Sequence, residues 1–94
     1  MKKYEIMYII DPTVLEEERA ALVEEVKGLF AANGATNLKV ENWGERKLAY
    51  PIKKKKSGFY VLTTFEMDGT LLTNVENKLN IMEKVIRYRI FKQD

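Results

Sequence analysis

The stretch Tyr4–Gly34, YEIMYIIDPTVLEEERAALVEEVKGLFAANG, changes periodicity partway along, and that change decides the fold class. Tyr4, Ile6, Tyr8 and Ile10 alternate with Glu5, Met7 and Ile9, a period of two built from β-branched and aromatic residues, which predicts a strand. Asp11-Pro12 ends it, because proline has no N–H for a central ladder. Thr13 is then expected to cap a helix, with Glu16 three residues on as its capping-box partner and Glu17 and Glu18 favoured near the positive helix end. Leu15, Leu22, Val26 and Leu29 recur at helical spacing, Ala21 and Phe30 widening the stripe, and Asn33-Gly34 offers a left-handed stop. Of these, Leu15, Leu22 and Val26 are expected in the core.

Working outward, Leu38–Tyr50 reads as extended, with a bulge or bend expected at Asn42-Trp43-Gly44. Pro51, Lys53, Lys54, Lys55, Lys56 and Ser57-Gly58 are expected to connect it to a strand from Phe59 to Met67. Asp68-Gly69-Thr70 opens a second helix carrying Leu72, Val75, Leu79 and Met82, with Leu72, Val75 and Leu79 expected in the core, and Val85–Phe91 closes the chain as a strand. The order is β-α-β-β-α-β. The expected class is α+β, ferredoxin-like: a four-stranded antiparallel sheet with two helices on one face, one domain over residues 1–94.

At 94 residues the chain suits one core. It has no cysteine and no histidine, which excludes disulfides, thiolate chemistry and the usual neutral-pH proton shuttle. Nothing is spaced like a calcium loop, and no metal site is expected. Neither a signal-peptide core nor a membrane-length apolar run is present, which points to a soluble cytoplasmic protein. The net charge of +2 says little, but its distribution says more. Acid gathers at Glu16, Glu17, Glu18, Glu24 and Glu25. Base gathers from Arg46 to Lys56, with Lys2, Lys3, Arg87, Arg89 and Lys92 at the two ends.

With Tyr4, Ile6, Val61, Phe65, Tyr88 and Ile90 facing the helices, the other sheet face would carry Met7, Ile9, Tyr60, Leu62, Arg87, Arg89 and Phe91. Rings with arginines suit RNA, and they suit a protein interface equally well. Ser57-Gly58-Phe59-Tyr60-Val61 only partly echoes the third-strand signature of RNA-recognition domains.

The string Glu45-Arg46-Lys47-Leu48-Ala49-Tyr50-Pro51-Ile52, taken with Tyr4-Glu5, Gly58-Phe59-Tyr60 and the basic last strand, resembles the family of the sixth protein of the bacterial small ribosomal subunit along essentially the whole chain. The resemblance implies a ferredoxin-like fold, no catalytic activity and no cofactor. It further implies binding to 16S ribosomal RNA in the central domain, paired with the eighteenth small-subunit protein. Arg46 and Lys47 fall on the family's paired basic positions, Lys2 and Lys3 on its basic N-terminal pair, and Arg87 on a commonly basic last-strand position. Some relatives extend past the last strand, whereas this chain stops at Phe91-Lys92-Gln93-Asp94, so contacts made by a tail are not expected.

The expected RNA-binding residues are thus Lys2, Lys3, Arg46, Lys47, Tyr50, Lys53, Lys54, Lys55, Lys56, Arg87 and Arg89. Trp43, Tyr60, Leu62 and Phe91 are expected at the protein-partner interface. Plainer readings stand beside these. The lysine run is equally a solvated loop. Arg46 and Lys47 could make surface salt bridges worth little. Arg87 and Arg89 could simply discourage sheet-to-sheet pairing. Trp43 could close one end of the core, and Tyr50 could pack rather than stack. An enzyme is the competing class, but no glycine-rich phosphate loop follows the first strand. Asp11 and Glu66, conceivable as an acid–base pair, have no spacing that joins them. A regulatory domain dimerising through the open sheet is a third class.

Overall fold

The alternation in the first strand has a direct consequence in space. In the computed structural model, which describes residues 1–52 and 54–93, β1 (Lys2–Ile10) turns Tyr4, Ile6, Tyr8 and Ile10 into the main core, the last three with no exposed surface. Helix α1 (Glu16–Ala32) packs on them through Leu22, Val26 and Phe30, four residues apart and therefore on one stripe. The chain continues through β2 (Thr36–Ile52), β3 (Lys55–Met67), a 3-10 turn at Gly69–Leu71, α2 (Leu72–Leu79) and β4 (Val85–Gln93). The sheet order is β2-β3-β1-β4 with every pair antiparallel. β1 sits centrally because each crossover helix carries the chain past one strand, leaving a gap that an antiparallel neighbour fills. Val75 and Leu79 of α2 complete the core, where the Phe30 and Phe65 rings lie 4.4 Å apart. This is the expected ferredoxin-like arrangement.

Local expectations need correction in three places. Thr13 does not cap α1. Its N–H and hydroxyl both donate to the Asp11 carboxylate, at 2.8 and 2.7 Å, so its oxygen is spent on the turn. The helix starts three residues later behind an extended Leu15. That shift puts Val14 in the core and leaves Leu15, expected there, 69% exposed. Glu16, Glu17 and Glu18 still occupy the first turn, where carboxylates are favoured. Helix α2 is shorter than expected. It ends at Leu79, and Met82 packs half-buried from the turn that follows. Finally, the connection between the two middle strands is tight. Lys55 and Lys56 belong to β3, and Lys54 (φ +66°) makes the turn. Lys53 lies outside the described residues.

Two irregularities in β2 matter for the site. Asn42 and Gly44 face Val61 and Tyr60, consecutive in β3, so Trp43 is the extra residue of the expected bulge, and Gly44 takes φ +78°. Further on, Lys47 faces Ser57 but Ile52 already faces Lys55, so Leu48–Pro51 leave the register and form an arm. The arm folds onto the helix-free side: Leu48 is buried against Ile9 and Ile86, with Ile52 and Tyr60 packed alongside. Gly58 permits this closeness. A Cβ there would collide with Ile9 Cγ2 and stand 3.2 Å from the Ile10 carbonyl oxygen.

Candidate nucleic-acid interface

Register fixes which side chains share the helix-free face. Residues opposite each other in a ladder point the same way. Ile9 faces Tyr60 and Arg87, Met7 faces Leu62 and Arg89, and Glu5 faces Phe91. A bulge at Ile86, where β1 advances one residue and β4 two, adds Ile86 to this side. The expected face is therefore assembled, but it is not bare. Leu48, Ala49, Tyr50 and Ile52 of the arm wall a groove of about 260 Å³ floored by Met7, Ile9 and Tyr60, with Arg87 and Arg89 on its opposite side.

Tyr50 is the contact between arm and sheet. Arg87 Nη1 donates to its hydroxyl at 2.5 Å, and the guanidinium stands 5.7 Å from the ring centroid. That hydrogen bond, then the Arg87 charge, holds the Tyr50 hydroxyl below the ordinary tyrosine range. Tyr50 itself is 57% exposed, so it neither packs in the core nor stacks on another ring. A guanidinium has five donors, and this bond leaves most of the Arg87 fork available. Neither Arg87 nor Arg89 has a carboxylate partner among the described residues.

Arg46 and Lys47 sit on the same hairpin, both exposed. Arg46 Nε donates to the Trp43 carbonyl oxygen at 3.3 Å and its guanidinium lies 5.3 Å from the Trp43 ring centroid. Trp43 is thus an exposed platform, 42% accessible, rather than a plug in the core. The salt bridges considered for Arg46 and Lys47 are absent among the described residues. Lys54 and Lys56 are exposed, whereas Lys55 reaches Asp11 at 3.7 Å. Asp11 is held below the usual carboxylate range, mainly by the Thr13 N–H.

Not every expected residue gathers here. Lys2 and Lys3 stand at the far end of β1, where Lys3 faces Glu66 and Gln93. About 20 Å of strand separates them from Ile9, the residue opposite Arg87. Phe91, 46% exposed, lies toward that end as well. Leu62 points to the open side but is only 9% accessible, so it offers little surface. Asp11 and Glu66 are at opposite ends of the sheet, and Glu66 accepts a hydrogen bond from Asn37. They cannot act as one acid–base pair. No group of acids among the described residues is placed to hold a metal ion, and no described helix is long and apolar enough to cross a membrane.

Ala49 and Ile52, which line the groove, were not singled out by sequence reasoning. The Pro51 that follows Tyr50 and the irregular alternation after Gly44 were the available signals that the strand leaves its register.

Fold and site together define a class: a small ferredoxin-like domain presenting arginines and tyrosines on its helix-free sheet face. Comparison narrows that class. The profile of the family described as Ribosomal protein S6 matches residues 3–92. The small ribosomal subunit protein bS6 of Fusobacterium nucleatum subsp. nucleatum is 71% identical over 94 residues, covering all of both chains. That of Thermoanaerobacter pseudethanolicus is 43% identical, covering all of this chain and 99% of its own. The crystal structure of 30S ribosomal protein S6 from Thermotoga maritima superposes with a TM-score of 0.93 at 40% identity, covering 98% of this chain and 87% of that one. A de novo designed protein, 10% identical with a TM-score of 0.57, shares the fold alone. The chain belongs to the Ribosomal protein S6 family, proteins of the small ribosomal subunit.

Proposed function

We propose that this protein is a non-catalytic structural constituent of the small ribosomal subunit, acting as a single domain over residues 1–94 in the cytoplasm. It binds 16S ribosomal RNA together with the eighteenth small-subunit protein as the central domain assembles. The observation that carries this reading is the pairing of Arg87 and Arg89, without carboxylate partners among the described residues, with Tyr50 of the arm on the helix-free side of the sheet, Arg46 and Lys47 standing exposed on the strand that leads into the arm. Family membership supports the ribosomal setting.

The chemistry follows from the geometry. Arginine forks match phosphate oxygens and need no proton transfer. Lys47, Lys54 and Lys56 add exposed charge whose counterions are released on binding. Lys2 and Lys3 provide a second basic point at the distant end, so a contact there would reach a different RNA segment. Trp43 and Phe91 supply partner contacts, aromatic residues being enriched in interface cores, while Leu62 contributes mainly as packing beneath. Phosphate contacts fix position, and specificity comes from RNA shape and from the composite surface made with the partner.

Titration of central-domain 16S RNA, with and without the partner, tests this. The pair should bind roughly 5–150-fold more tightly than this protein alone. Weak binding to any RNA hairpin, indifferent to the partner, would reject it.

A further inference from the structure

The groove beneath the arm has a chemistry of its own. Its lining is apolar at Met7, Ile9 and the ring of Tyr60, and it also includes Arg87, Arg89 and Tyr50. A slot for a purely apolar side chain would not need two adjacent arginines that have no acid partner among the described residues. A site for phosphate alone would not need a floor of rings and methyl groups. The combination of flat apolar contact with nearby positive charge fits a nucleotide whose base has left its stack.

The volume agrees. About 260 Å³ is ample for one base. The arm sits where the strand ladder is interrupted, Leu48–Pro51 having no register partners in β3, so its backbone groups are not committed to the sheet. Arg87 donates to the Tyr50 hydroxyl at the edge of the ring and leaves the ring's faces free.

We propose that this groove is a subsite for a single unpaired RNA base, held between the arm and Tyr60, with its phosphate met by Arg87 and Arg89. This deepens the rRNA-binding reading given above and rests on it. Positive charge that lines the groove, with no acid partner among the described residues, favours RNA over a neutral or basic protein segment.

The test uses the intact protein and methyl NMR of Met7 and Ile9, whose side chains floor the groove. Single-stranded hexa-adenylate RNA should shift both signals. A duplex RNA of equal charge and an abasic ribose-phosphate hexamer should leave them nearly unmoved. Arg89→Gln, at an exposed position, should weaken hexa-adenylate binding several-fold while the protein keeps its spectrum. Equal shifts from the duplex or the abasic strand would overturn the subsite, reducing it to general phosphate attraction. So would shifts produced by the protein partner alone and abolished for RNA in its presence. Unmoved methyl signals alongside intact cooperative binding of central-domain RNA would sink the subsite and leave the scaffolding function standing.

Discussion

Replacing Tyr8 with Phe removes one oxygen from the centre of the main core and changes nothing else in shape. The Tyr8 ring is fully buried, and its hydroxyl has no hydrogen-bond partner among the described residues. Burying an unpaired hydroxyl costs about 1–3 kcal/mol, and the ring's apolar contacts are kept in the variant. Tyr8→Phe should therefore stabilise the protein by about 1 kcal/mol, which raises the Tm of a domain this size by about 4–8 °C. Linkage provides a second signature. Burial first, and then the Glu24 charge, hold the Tyr8 hydroxyl well above its ordinary value of 10.0. A raised folded-state pKa means its stability contribution is intact below pH 10.0 and is lost as pH rises beyond, because the unfolded chain ionises first. The loss runs at about 1.4 kcal/mol per pH unit, so the advantage of the Phe variant should widen in alkali. Urea unfolding of both proteins at pH 7 and pH 10.5 measures this. A Phe variant about 1 kcal/mol less stable at pH 7 would refute the reasoning and place a bonded water on that hydroxyl.

Other substitutions probe the site and its supports. Gly58→Ala should cost about 1–3 kcal/mol in urea unfolding, because the new methyl displaces Ile9 or the Ile10 carbonyl; an unchanged midpoint would mean the arm moves freely. Asp68→Ala removes the carboxylate that accepts from Thr70 N–H at 2.9 Å. Its pKa is lowered chiefly by that bond, so its contribution is present above pH 3.8 and fades as pH falls. The variant should melt lower than the parent at pH 7 and alike at pH 2, and a pH-independent gap would show the carboxylate is not the cause. Replacing Arg46 and Lys47 together with Ala should leave the Tm nearly unchanged, since neither has a carboxylate partner among the described residues. It should flatten the plot of log affinity for central-domain RNA against log salt by about 1.4–1.8, two phosphate contacts' worth. Parallel salt series for parent and variant would remove both residues from the RNA surface.

The sequence by itself determined the element order, the core stripe Leu22-Val26-Phe30 and the side of the sheet on which Arg87 and Arg89 lie. These follow from periods of 3.6 and 2.0, which are properties of a local backbone and need no knowledge of distant residues. The bulge at Trp43 was legible too, because glycine beside a break in alternation marks one. Tertiary structure decided the rest. Thr13 braces a turn with Asp11, two residues away, and the packing of that turn on the core buries Val14 in place of Leu15. The arm closing over the sheet depended on Gly58 making room for Ile9 and on Arg87 meeting Tyr50, 37 positions away in sequence. Lys2 and Lys3 were separated from the arginines by the length of β1. Periodicity tells a side chain which face it occupies, but only the packed chain sets which neighbours share that face and how far apart they stand.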